Sequence, residues 1–331
     1  MTNVQRVVLT ARPDGPLTTD HFRIETADLP DPGPGEVRVA LRYISADPYM
    51  LRLVSGLVDY KPGVGPGDAM FGRAVGEVTT SHDPAFVPGD KVFLWTHWQN
   101  EVNARGADLR KLDLSIAPYP AWLGVLGHSA LTAWVGLIEV GRPRAGETVL
   151  VSAASGAVGS VVGQLARISG CRAVGIAGGP EKCRHVTDFL GFDACVDYKA
   201  PDLDAQLRAA LPDKADLYFE NVGSAMMDTV LPHMKRHGRI AVCGMVSEYL
   251  SDEPVRMKHL ELIMSQALRV EGFAVWDYFD RQEAVNRDLA RWYRSGQLKY
   301  HETIAEGLAS APAALVGLQF GKNLGKQLIR L

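Results

Sequence analysis

The first 170 residues contain no cysteine, and the whole 331-residue chain has four, Cys171, Cys183, Cys195 and Cys243, with no C-x-x-C pair. This excludes a zinc-dependent alcohol dehydrogenase of this size, which places a catalytic cysteine and a four-cysteine lobe in that half. His82, His97 and His128 are scattered without ligand spacing, so no metal is expected and the thiols read as free and at least half-buried. Charge of one sign is also missing. A net charge of −3 with no Lys/Arg block offers no field for nucleic acid or an anionic membrane. Nor is there a clean apolar run of membrane length. The nearest, residues 121–140, is broken by His128, Ser129, Glu139 and several glycines, and reads as buried core. The opening residues lack a signal-peptide pattern, so the cytoplasm is the expected location.

What is present has two styles. Up to about residue 125 the chain is β-rich, with strands expected at 37–44, 74–79 and 91–95 and turn chemistry in DPGPGE, KPGVGPGD and VPGD. Beyond it, strands expected at 148–152, 172–177, 194–196, 216–220, 239–243 and 269–275 alternate with helices at 158–169, 181–190, 203–211, 225–234 and 281–295. Short apolar strands separated by helices are what a doubly wound parallel α/β sheet requires. The expected division is therefore 1–125, a β-rich domain; 126–295, a dinucleotide-binding domain; and 296–331, a return to the first.

The sharpest signal is VLVSAASGAVGSVVG, residues 149–163, in which an apolar strand runs through a small-residue turn into a helix. Ala153, Gly156 and Gly159 let backbone approach a diphosphate, and the helix start faces it. Ala154 stands where the usual fingerprint has its first glycine, and a glycine turn between any strand and helix remains an alternative reading. An NAD-binding fold ends its second strand in an acid that holds the ribose 2′-hydroxyl. Here Gly178 and Gly179 stand there, with Lys182 just beyond and Tyr198 after the next strand, a combination that favours a 2′-phosphate and hence NADP. Taken alone, Lys182 can also be a solvated lysine at a helix start and Tyr198 a loop aromatic.

Several segments together resemble the zinc-free medium-chain dehydrogenase/reductases of the leukotriene/prostaglandin reductase and plant double-bond reductase group. They are YISADPYMLR (43–52), GHSALTAWVGL (127–137), the glycine turn, GFDACVDYK (191–199), ENVG (220–223), CGMVSEY (243–249), EGFAV (271–275) and GKNLGK (321–326). AGGPEKCRH (177–185) is similar to the bacterial curcumin-reducing branch. One departure is Gly127-His128-Ser129-Ala130, where relatives commonly carry a run such as Gly-Met-Pro-Gly. The resemblance implies a Rossmann domain beside a GroES-like β-rich domain. It assigns Gly156, Ala157, Val158 and Gly159 to the pyrophosphate and Lys182 with Tyr198 to the 2′-phosphate. It places Asn221, Gly244, Met245, Phe273, Val275 and Asn323 around the nicotinamide half, largely through backbone groups. It aligns Tyr60, which the residues alone would make a turn aromatic, with a tyrosine at the substrate carbonyl. It also implies a homodimer, joined through the sheet edge near 270–275.

Without a metal, the charge that develops on a reduced substrate must be met by weaker electrophiles such as the Tyr60 phenol and the cofactor ribose. These suit conjugate addition to the β-carbon of an enone or enal, whose charge spreads as an enolate. The expected activity is thus NADPH-dependent reduction of the double bond of a small apolar α,β-unsaturated ketone or aldehyde. Trp95, Trp98, Tyr249, Trp276 and Tyr278 could line its pocket, or serve as ordinary core and surface aromatics. A zinc-free quinone reductase and a non-catalytic NADPH-binding protein are the alternatives.

Overall fold

Val149, Leu150 and Val151 have no exposed surface, and the neighbouring strand ending at Ala177 is apolar on both faces, as expected for strands covered by helices on either side. The computed structural model describes residues 2–57, 63–251 and 253–331. In chain order the strands are β1 (Thr2–Leu9), β2 (Phe22–Leu29), β3 (Glu36–Ser45), β4 (Phe71–Ser81), β5 (Lys91–His97), β6 (Glu101–Arg105), β7 (Arg110–Lys111), β8 (Thr148–Val151), β9 (Arg172–Ala177), β10 (Ala194–Asp197), β11 (Ala215–Glu220), β12 (Met234–Val242), β13 (Arg269–Gly272), β14 (Glu302–Glu306) and β15 (Lys326–Arg330). The chain divides into two units. One runs to Leu123 and is completed by Tyr249–Asp252 and Glu302–Leu331; the other comprises Gly124–Glu248 and Glu253–His301.

The second unit holds a six-stranded parallel sheet in the order β10-β9-β8-β11-β12-β13. That order reverses direction between β8 and β11, and open α/β sheets bind ligands beyond the strand ends at such a point. Helices Gly159–Ile168, Leu203–Ala210, Ser224–Val230 and Gln282–Arg294 follow the expected alternation.

Three expected boundaries need correction. The helix expected over 225–234 ends at Val230, because Pro232 cannot extend a helix and Met234 already pairs with Ala215 as the start of β12. The helix expected over 181–190 is regular only through Pro180–Arg184, then widens into π geometry over His185–Phe189, with Leu190 N–H reaching His185 O at 3.0 Å. The strand expected over 269–275 stops at Gly272, opposite the last residue of β12, and Val275 opens a 3₁₀ segment. Residues 121–140 are buried core as read. They form helices Tyr119–Leu123 and His128–Trp134 and a π segment Val135–Gly141, and among the described residues no helix is long and apolar enough to cross a membrane.

In the first unit, a seven-stranded sheet has the order β14-β15-β3-β4-β5-β7, with β6 also on β3 and a separate β1-β2 pair. Along β5 the pattern alternates, Val92 and Leu94 inward and Trp95 outward, as an antiparallel sheet with one wet face requires. Three charges are buried here. Asp47 receives Lys326 Nζ at 2.9 Å, Arg73 at 3.4 Å and the Ser45 hydroxyl at 2.5 Å, while Lys326 Nζ also donates to Ala46 O at 2.9 Å. Burial opposes ionisation of Asp47, but the Lys326 and Arg73 cations and the Ser45 hydroxyl outweigh it and hold the carboxyl well below its ordinary range. A depressed folded-state value stabilises the native chain above the ordinary aspartate range, a contribution lost as pH falls through and below it. Asp47→Ala strands two buried cations and should cost about 3–5 kcal/mol in urea unfolding. A loss below about 1 kcal/mol would mean that the trio is solvated rather than buried.

Candidate functional site

The turn after β8 is shaped by what it cannot accommodate. A Cβ at Gly159 would lie 2.4 Å from the Ala153 carbonyl oxygen, so only glycine lets the helix start fold back over the strand end. Ala153 itself sits at φ 48°, a left-handed conformation that costs an alanine roughly 1 kcal/mol. The Ala154 methyl, in place of the fingerprint glycine, is fully buried and lies 2.8 Å from where a Cβ at Gly175 would be, so a glycine on β9 makes room for it. Gly163 faces the Phe192 ring, with which a Cβ there would collide. Val158 stands at the N-cap of helix Gly159–Ile168 and no side chain caps it. Gly156, Ala157 and Val158 are half-buried. An uncapped ten-residue helix behind a glycine turn is a fitting cradle for a diphosphate.

The ends of β9 and β10 form the next part. Gly178 lies directly under Tyr198: a Cβ there would be 2.7 Å from the phenol ring and 2.8 Å from its hydroxyl. The place of the NAD-type acid is therefore covered by a phenol. Lys182 is half-buried, and burial first, then the Lys199 ammonium, pushes it below its ordinary value against a smaller opposing effect of Glu181. Tyr198 is 44% exposed, so both groups remain reachable from solvent.

At the switch point, Asn221 is fixed by both ends of its residue. Its Nδ2 donates to Ser152 O at 2.7 Å, and its N–H to the Ser152 hydroxyl at 2.8 Å. Behind it the Glu220 carboxylate accepts from the Tyr218 hydroxyl, the Ser152 hydroxyl at 3.1 Å, Val222 N–H and Gly223 N–H at 3.0 Å. Glu220 is 1% exposed, and burial raises its pKa despite those donors. Ser152 and Glu220 were not singled out from sequence, although both lie inside recognisable motifs. Cys243 and Gly244 donate to Glu220 O at 2.8 and 3.2 Å, and Ser247 N–H to Val222 O at 2.9 Å, which laces the Gly244–Met245 loop to Asn221. Phe273 packs its ring on Gly136 and Phe219. Val275 is 6% exposed.

Of the remaining expected residues, Asn323 lies in the first unit, donating to Gly325 O at 2.7 Å. Tyr60 lies outside the described residues. Trp95, Trp98 and Tyr249 belong to the first unit, and Trp276 and Tyr278 to the second. Trp98 needs correction as a pocket residue: it is 0% exposed and packs against Gly72 beside Met50, so it presents no surface to a ligand. Trp95 is open, with the Arg73 guanidinium 4.1 Å from its ring centroid. Trp276 is exposed, and Tyr278 carries Arg281 at 5.9 Å. The four thiols are free, and no cluster of three or more His, Cys, Asp or Glu suited to a metal occurs among the described residues.

Two family models match the chain, an N-terminal domain of oxidoreductase over residues 5–112 and a zinc-binding dehydrogenase domain over residues 157–291. The chain is 42% identical to the NADPH-dependent curcumin reductase of Escherichia coli strain K12, over 99% of its own length and 96% of that protein's. It is 41% identical to the NADP(+)-dependent 2-alkenal reductase of Nicotiana tabacum, over 90% and 88% of the two chains. Among solved structures, CurA of Vibrio vulnificus in complex with NADPH superposes with a TM-score of 0.93 at 36% identity, over 98% of each chain.

Proposed function

The chain belongs to the zinc-free medium-chain dehydrogenase/reductases, and we propose that within that family it is an NADPH-dependent reductase of the carbon–carbon double bond of α,β-unsaturated ketones and aldehydes. Whole-length similarity to reductases of curcumin and 2-alkenals carries the substrate class. Gly178 under Tyr198, with Lys182 adjacent, carries the preference for the 2′-phosphorylated cofactor. When bound, NADPH supplies the hydride for the β-carbon.

The work of the protein is to hold and to polarise. In this reading Gly156, Ala157, Val158 and Gly159 hold the pyrophosphate, and Lys182 and Tyr198 the 2′-phosphate. Asn221, Gly244, Met245, Phe273, Val275 and Asn323 hold the nicotinamide half. Tyr60 donates a hydrogen bond to the carbonyl oxygen as it gains charge, and Trp95, Tyr249, Trp276 and Tyr278 contribute apolar surface to the substrate. The enzyme is cytoplasmic.

NADPH oxidation with an enone, with a quinone and without an acceptor tests the assignment, and NMR of the product locates the added hydrogen. Turnover confined to quinones would transfer the chain to the quinone reductases; no acceptor-dependent oxidation would make it a binding protein. Tyr60→Phe should lower enone kcat by about tenfold or somewhat more while NADPH affinity holds, because the lost bond strengthens only in the transition state. Full kcat across several enones would remove Tyr60 from the reaction.

The same reading includes a homodimer. β13 is the edge of the six-stranded sheet and Val270 on it is 38% exposed, an open edge that a second copy could extend. Light scattering should report twice the chain mass; a monomer at assay concentration would count against it.

A further inference from the structure

The loop after β10 carries more than Tyr198. One oxygen of the Asp197 carboxylate, Oδ1, accepts two backbone N–H groups, from Gly179 at 2.7 Å and from Lys199 at 2.9 Å. Gly179 sits at φ 97° and leads directly into the helix bearing Lys182. Tyr198 N–H also donates to Ala177 O at 3.0 Å, joining the ends of β10 and β9. A single acid thus ties together the two loops from which Lys182 and Lys199 project. The Lys199 ammonium is 6.0 Å from the Tyr198 ring, whose hydroxyl end lies over Gly178.

We infer that Lys199 is a second cation for the ribose 2′-phosphate and that Asp197 is the positioning residue that holds its loop against that of Lys182. The inference rests on the assignment of NADP to this chain. A phosphate monoester carries about 1.5–2 negative charges at neutral pH, so one lysine leaves roughly half of that charge unmet. The Lys199 ammonium is close enough to act on Lys182 as a like charge, an arrangement that favours a dianion at the same place. The two N–H donors on Oδ1 offset part of the Asp197 charge. The third strand of this sheet in chain order, β10, thus ends in an acid, Asp197, that ties two loops together rather than holding a ribose hydroxyl.

The test uses two probes that differ only in the 2′-phosphate, adenosine 2′,5′-bisphosphate and 5′-AMP, titrated by calorimetry into the full chain. Lys199→Met should weaken the bisphosphate about fivefold and leave 5′-AMP within about twofold. Asp197→Asn keeps the acceptor oxygen and removes the charge, so bisphosphate binding should hold or tighten. Asp197→Ala frees both loops and should weaken it about tenfold. A Lys199→Met chain that binds both probes as the parent does, or loses both equally, overturns the inference. So does an Asp197→Asn chain that binds the bisphosphate as weakly as a folded Asp197→Ala chain. If the parent chain itself binds the bisphosphate no better than 5′-AMP, it is the NADP assignment that fails.

Discussion

Gly178→Asp is expected to lose NADPH affinity by about 10²–10³-fold while NADH binding holds or improves. Two effects add. A side chain at position 178 occupies the space of the Tyr198 ring, since even its Cβ would lie 2.7 Å from that ring, so the phenol must swing away. Its displacement forfeits a hydrogen bond to a charged group, roughly 1.5–3 kcal/mol. The new carboxylate also stands against the 2′-phosphate, a like-charge repulsion of about 1–4 kcal/mol at contact distance near a surface. For NADH neither penalty applies, and the carboxylate can accept the ribose 2′-hydroxyl. Gly178→Ala separates the two, because it moves the phenol without adding charge. Fluorescence titration with both cofactors reads the outcome. Unchanged NADPH affinity in Gly178→Asp would show that the 2′-phosphate is bound somewhere else.

Glu220 should show the second large effect, and its two substitutions should differ sharply. Glu220→Ala leaves the Tyr218 hydroxyl and the N–H groups of Val222 and Gly223 without their acceptor at a site with 1% exposure, while the Ser152 hydroxyl keeps only Phe219 O at 3.3 Å. At about 1–3 kcal/mol for each buried donor left unmet, partly relieved by water, the native state should lose roughly 3–5 kcal/mol. Asn221 and the Gly244–Met245 loop depend on the same network, so NADPH binding should weaken with it. Glu220→Gln keeps one oxygen for three donors and turns its amide toward the Tyr218 hydroxyl, which can accept as well as donate. It should stay within about 1 kcal/mol of the parent in denaturant unfolding. If Gln proves as damaging as Ala, the negative charge itself is what the site requires. The raised pKa argues otherwise: an acid easier to protonate when folded stabilises the native state less as pH rises past the ordinary glutamate range.

The sequence was most readable where one local rule sufficed. The apolar strand, glycine turn and helix of residues 149–163 announced the strand-to-helix turn at the switch point, and the missing acid at Gly178 agreed with NADP. It was less readable where the partner lies far along the chain. Nothing near Glu220 shows that Ser152, 68 residues earlier, will share its proton network. Asp197 reads as an ordinary turn acid until the fold brings Gly179 to it, 18 residues away. The π segments were missed because apolar periodicity does not distinguish a widened turn from a regular one. Met234 closes the helix expected over 225–234, whereas its pairing with Ala215 of β11 makes it a strand residue. Trp98 shows the same limit for single side chains, since an aromatic in a wall and an aromatic in a core look alike until burial is known.

The place of β15 sets the order in which this protein can be made. Residues 326–330 do not close the first unit from outside; they lie between β14 and β3, inside a sheet whose other strands, apart from β14, are complete by Lys111. Lys326, the counter-ion of Asp47, leaves the ribosome 279 residues after it. The intervening Rossmann unit therefore emerges and can fold while the first unit still lacks an interior strand and holds a buried acid without its lysine. Parallel sheets already fold slowly through distant pairings. Here a nascent chain must also keep the end of β3 at residues 43–45 unpaired until β15 emerges, which makes that edge the point most exposed to capture by a chaperone or by another nascent copy.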